Sequence, residues 1–121
     1  MAKVVADAVL DAALDEIATA TEIYLCTSEP ASRAAADTAS VIPAHTLTGG
    51  DFTNADGDSS GRKVTIAAQN SLTADATGTV THVALCTGST LLYVTTCTSQ
   101  AVTSGNTVNI GSWKVELADP A

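Results

Sequence analysis

Basic residues are scarce in this chain: five Lys and Arg stand against thirteen Asp and Glu, for a formal net charge of −8. Sequence-independent nucleic-acid binding depends on phosphate neutralisation by Lys and Arg, so no nucleic-acid partner is expected. An anionic membrane surface is disfavoured for the same reason. Large aromatics are nearly missing, with one Trp, one Phe and two Tyr. That argues against a base-stacking platform or an exposed carbohydrate plate, and Tyr24 and Tyr93 read as core. No apolar run approaches the ~18 residues that a membrane-spanning helix needs. Behind Lys3 the apolar residues are interrupted by Asp7, Asp11 and Asp15, so no signal peptide is expected. Cysteine is sparse and odd in number (Cys26, Cys86 and Cys97), and no pair has metal-ligand spacing, which argues against zinc. Free thiols buried like small hydrophobes are expected. One disulfide, within or between chains, is the alternative.

The 121 residues suit a single domain spanning 1–121. Apolar residues make up 45%, but many are alanine. Alanine buries little area at about 25 cal/mol per Å². A thin core is therefore expected, with contacts between copies adding burial.

The chain changes character near residue 20. Val5, Val9, Ala13 and Ile17, flanked by Leu10 and Leu14, give one wide apolar face and predict a helix over about 4–18. Asp7, Asp11 and Asp15 form a stripe on the other side. Like charges four apart repel by a few tenths of a kcal/mol per pair, so packing must hold the helix. The stripe is either a solvated face or an interface.

From residue 21 to 118 the pattern is Thr-rich and strand-like. Ile23 and Leu25 alternate with Tyr24 and Cys26, and Pro30 ends that strand. Residues 31–62 lack a sustained period and predict a long loop with one short strand near 40–42, which would dock on a neighbouring copy. Val64, Ile66 and Ala68 predict the next strand, over 63–69. Gly88-Ser89 is a two-residue hairpin signal between strands at 79–87 and 90–97. The register that follows pairs Cys86 with Leu91, Leu85 with Leu92, Ala84 with Tyr93, Val83 with Val94 and His82 with Thr95. One face then carries Val83, Leu85, Leu92 and Val94, and the other Ala84, Cys86, Leu91, Tyr93 and Cys97, so the hairpin should be central and covered on both sides. It also puts Cys86 and Cys97 about 20 Å apart, too far for a disulfide. A last hairpin turns at Ser104-Gly105-Asn106, and Gly111 serves as a bulge that resets the face before a buried Trp113, with Lys114 and Glu116 in solvent. Leu25-Cys26-Thr27 and Leu85-Cys86-Thr87 echo each other, through related places in the sheets or by coincidence. The fold class is mainly β: an antiparallel β-sandwich, or a flattened barrel, preceded by one N-terminal α-helix.

No residues suggest catalysis. His45 and His82 are the only histidines, and no serine sits in a nucleophile-elbow context. Asp51, Asn54, Asp56 and Asp58 are clustered oxygen donors and the one calcium candidate, but their spacing fails the EF-hand pattern and a plain polar loop accounts for them. No cofactor is expected.

Several segments resemble small proteins of tailed bacteriophages and prophages. They are residues 1–30, Asp56-Gly-Asp-Ser-Ser-Gly-Arg-Lys-Val64, Thr81-His-Val-Ala-Leu85 with Leu91-Leu92, and Val115-Glu-Leu-Ala-Asp-Pro120. The resemblance implies a non-enzymatic virion component of the head: a decoration, cement or minor capsid subunit. It further implies synthesis in the host cytoplasm, and partnership with copies of itself and with other virion proteins such as the major capsid protein. A departure is the three cysteines within strands, which opens cross-linking between subunits. A tail or fibre binding module using carbohydrate or calcium is the alternative. A small hydrolase, needing His45 or His82 beside a serine and an acid, is the second.

Overall fold

The computed structural model describes residues 5–118, apart from the side chains of Pro43 and Ala44. The expected helix start at residue 4 and the end of the last resembling segment, residues 119–120, lie outside them. Helix α1 spans Asp7–Ile17 and β1 spans Glu22–Cys26. Next come α2 (Arg33–Ala39), β2 (Ser40–Thr46), a 3-10 turn at Gly49–Asp51 and β3 (Phe52–Asp56). The remaining strands are β4 (Arg62–Ile66), β5 (Gln69–Thr73), β6 (Gly78–Cys86), β7 (Leu91–Val102), β8 (Thr107–Ile110) and β9 (Trp113–Leu117).

The fold is mainly β, antiparallel and sandwich-like, led by the expected helix. It does not close into a barrel. One layer is a four-stranded sheet in the order β2-β1-β6-β7. The other joins β3-β4-β9 to β5-β8. Ile66 pairs with Trp113 and, three residues on along each strand, Gln69 pairs with Ile110. The second layer is therefore one two-stranded ribbon, interrupted at 67–68 and 111–112 and widened by β3. Both strands break together there, so Gly111 sits in a shared interruption rather than the expected one-residue bulge. Ala68 is exposed and belongs to no strand.

Residues 31–62 are largely folded, which corrects the expected loop. Ser32 accepts a hydrogen bond from the Ala35 amide at 3.1 Å and caps α2. The alanines behind it supply helix propensity. α2 lies against β1 and β2, burying Ala36 over Tyr24, Cys26, Ala84 and Cys86. The 57–61 turn joins β3 to β4 and needs glycine: Gly61 has φ +71°, and a Cβ there would stand 1.9 Å from the Leu117 carbonyl oxygen.

The Gly88-Ser89 turn forms, with the Thr87 amide donating to the Thr90 carbonyl at 2.8 Å. Cys86 pairs with Leu91 as expected, but Leu85 then pairs with Tyr93, Ala84 with Val94, Val83 with Thr95 and His82 with Thr96. Leu92 is an extra residue in β7, a bulge that moves every later pair by one. Leu92 and Tyr93 therefore both pack on the main core, while Leu91 and Val94 pack on the α2 side. The expected places of Tyr93 and Val94 are exchanged. β6 is central and buried on both faces over Val83, Ala84, Leu85 and Cys86, but β7 is an edge strand. The turn at Ser104-Gly105 also forms, with Gly105 at φ +90°. It does not make a hairpin, because β7 pairs with β6 and β8 with β5. The chain crosses there from one layer to the other.

The main core lies between the layers. It is built from Ile23, Leu25, Val64, Ile66, Val83 and Leu85, with Leu14 of α1 fully buried among them. Val, Leu and Ile dominate it, and Ala8, Ala12, Ala13, Ala67 and Ala68 are on the surface. Alanine is spent mostly outside it. The buried stripe of α1 is Leu10, Leu14 and the half-buried Ile17; Val9 is 61% exposed and Ala13 is also exposed, contrary to expectation. Spacing of four drifts around a helix, and the sheets meet the Leu10–Leu14 side.

Candidate interaction surface

The carboxylates singled out in the sequence mostly bind other parts of the same chain. The Arg62 guanidinium donates from Nε to Asp11 at 2.8 Å and from Nη1 to Asp56 at 2.7 Å. Asn54 donates to Asp15 at 3.0 Å. Asp11 and Asp15 thus tie α1 to the β3–β4 hairpin, and Asp7 stays exposed in the first helical turn, where it complements the helix dipole. Asp58 meets Lys63 at 2.7 Å and also Lys114, and its amide donates to Glu116 at 2.7 Å. Lys114 and Glu116, expected in free solvent, belong to this ion-pair group. Asp51 closes the 3-10 turn: the Thr48 amide donates to it at 2.8 Å. That bond, helped by the Gln69 amide, holds its carboxyl below the usual range despite some desolvation. The four calcium candidates therefore serve four different partner sets. Among the described residues, no group of three His, Cys, Asp or Glu is placed to hold a metal.

Arg33 completes the charge pairing. It reaches Glu22 at 3.1 Å and lies over the Tyr24 ring at 5.9 Å. Every described Lys and Arg (Arg33, Arg62, Lys63 and Lys114) is thus ion-paired within the chain.

His45 donates to the Gln69 side-chain oxygen at 3.0 Å, and Gln69 donates onward to Asp51 at 3.3 Å. His82 shares a 2.8 Å hydrogen bond with its neighbour Thr81. These are an amide relay and a local strand contact, not a serine–histidine–acid line. All three cysteines are free thiols. Cys26 and Cys86 are buried under α2, where desolvation pushes each thiol up to about 11. Cys97 is exposed, contrary to the expectation of a buried thiol.

The seam beside β7 is different in kind. From residue 76 to 113 the chain contains no Lys, Arg, Asp or Glu. That stretch makes all of β6, β7 and β8. β7 pairs only on its β6 side, and residues 96–101 are all exposed. Its register with β6 steps from Thr96 to Gln100 and skips Cys97, Thr98 and Ser99. Between β7 and the β8–β9 side of the second layer lie two adjoining hollows, each about 210 Å³. They share Val83, Cys97, Ile110 and Gly111 as lining. Trp113 borders one of them and stacks on Tyr93 with ring centroids 6.2 Å apart. Trp113 is half-buried rather than fully buried, and its enclosed Nε1 finds no acceptor among the described residues. An enclosed donor without a partner costs about 1–3 kcal/mol. The seam offers uncharged backbone edge and apolar lining. It suits docking of extended chain better than acid–base chemistry. The signal that finds it is the gap in charge between Asp75 and Lys114.

The fold and this seam define a mainly β, sandwich-like chain in which β7 is a long, uncharged edge strand. Comparison with family models, curated proteins and solved structures found no match to this chain. Among the described residues no helix is long and apolar enough to cross a membrane.

Proposed function

We propose that this chain is a non-enzymatic structural protein of a tailed-phage virion, a decoration, cement or minor subunit of the head. It assembles with copies of itself and with other virion proteins such as the major capsid protein. The observation that carries the reading is β7, a 12-residue edge strand without charge or proline in a chain of net charge −8. Proteins that stay alone usually blunt such edges with lysine, proline, bulges or a covering element, and β7 has bulges but neither charge nor proline. The segment resemblances, which include the β6–β7 hairpin, supply the virion context. The inward use of charge supports it too, since the described cations are taken up in fastening α1, α2 and the β3–β4 hairpin.

Quantitative mass spectrometry of purified particles tests this reading. The expected result is many copies per particle, at a fixed ratio to the major capsid protein and retained through density-gradient purification. Absence from the particles overturns it.

A further inference from the structure

We propose that β7 is the surface through which two copies of this chain join, edge to edge and antiparallel, making one continuous sheet across a two-fold axis near Cys97. The inference deepens the reading above and rests on it, naming the surface that self-assembly uses.

Charge is the first argument. Two copies of net charge −8 repel each other, and repulsion is least where an approaching surface carries no charge. β7, its neighbour β6 and the facing β8 form that surface, all within the charge-free stretch 76–113. Strand geometry is the second. An antiparallel pair of identical strands is self-complementary, which a two-fold contact requires. No strand pairs with β7 on its outer side, α1 touches part of it, and the exposed part, residues 96–101, is Thr-Cys-Thr-Ser-Gln-Ala. Threonine and serine pair well across strands through hydroxyl hydrogen bonds and methyl contacts. The third argument is the local departure from β6. Cys97, Thr98 and Ser99 have no opposite residue in β6. They lie in exposed extended chain where an incoming strand can pair with them. The two irregularities in β7 bend the strand, so pairing is confined to its exposed part, residues 96–101. The uncharged hollows beside it receive side chains of the second copy.

Light scattering across a concentration series reads the association of the full chain, and Cys97 reports position. Wild-type protein is expected to dimerise, or to form multiples of a dimer. A short bismaleimide should link Cys97 to Cys97, with no link in Cys97→Ser. The double variant Thr98→Lys/Gln100→Lys puts like charges face to face and should weaken association about tenfold or more. Both positions are exposed, so an unchanged circular dichroism spectrum and melting curve will show that the fold persists. A wild-type chain that is monomeric throughout overturns the inference. Oligomers that ignore the double variant and give no Cys97 link overturn this inference alone, and the particle copy number still decides the virion reading. A chain that is monomeric by itself but leaves the particle when Thr98 and Gln100 become lysine puts another virion protein on β7 and overturns the second copy as its occupant.

Discussion

The charged and the charge-free parts of this molecule are held by different means. Up to Asp75, and again from Lys114, acidic and basic side chains find each other: Arg62 with Asp11 and Asp56, Lys63 and Lys114 with Asp58, Arg33 with Glu22. Between them, β6 is fixed by burial on both faces, and β7 relies on β6. Surface ion pairs contribute ~0–1 kcal/mol each, while filling an interior position is worth several times that. The pairs therefore orient α1 and the hairpin, and apolar packing supplies the stability even in the charged part.

The sharpest challenge to that view is to truncate one core side chain on each side. Leu14→Ala in α1 and Leu85→Ala in β6 remove fully buried side chains, and each should cost about 2–5 kcal/mol in urea unfolding. If Leu14→Ala is mild, salt bridges and not packing hold the helix.

A second measurement concerns the covered face under α2. Burial raises Cys26 and Cys86 to about 11, and burial together with Glu22 raises Tyr24 to about 12. Their folded values lie above the unfolded ones, so the folded state keeps protons that the unfolded state has lost. Their contribution is complete below about pH 9 and disappears as pH climbs through 11 to 12. The loss should reach several kcal/mol in all and at most about 8, on the order of 1.4 kcal/mol per pK unit. Melting curves between pH 8 and about 12 check this, and Cys26→Ala/Cys86→Ala should flatten the part of the decline nearest pH 9–11.

Smaller still is Arg62→Met, which unfastens α1 from the β3–β4 hairpin. It should lower the urea midpoint slightly at low ionic strength and less at ~1 M salt. The smallest effect on stability is that of Thr98→Lys, expected within about 0.5 kcal/mol at dilutions where the chain is a monomer, because the side chain is exposed in a single copy. A larger loss for Thr98→Lys would mean that β7 is less surface-like than its exposure indicates.

Much of this architecture was legible before any coordinates. Periodicity gave α1 and β1, and the Gly-Ser pair gave the turn at 88–89, because each rests on local chemistry. Register was less accessible: one extra residue at Leu92 exchanges the faces of Tyr93 and Val94, and nothing in Leu-Leu-Tyr-Val marks it. α2 was hidden because seven residues are too few to show a helical period, although Ser32 before an alanine run is a capping signal. The turn at Ser104-Gly105 was readable but its role was not. A turn reports a change of direction, and whether the next strand joins the same sheet depends on tertiary packing. The Leu-Cys-Thr echo gained a meaning, since β1 and β6 are hydrogen-bonded neighbours with both leucines facing the core and both cysteines facing α2. Of the candidate residues, the carboxylates were visible and their partners were not, because Asp11–Arg62 and Asp15–Asn54 join positions far apart in the chain. The bare edge was in plain view as a run without charge, but only the strand order shows that it is an edge.

The placement of β1 has a consequence for biosynthesis. β1, near the start of the chain, pairs on one side with β2 and on the other with β6, which begins only at Gly78. The four-stranded sheet cannot form until most of the polypeptide has left the ribosome. Until then α1 has only the β3–β4 hairpin to rest on, without the sheet that closes the core over Leu14. Such long-range closure is slow compared with local hairpin formation. The nascent chain therefore spends much of its synthesis unassembled, with its acidic first half keeping it dispersed while it waits for β6.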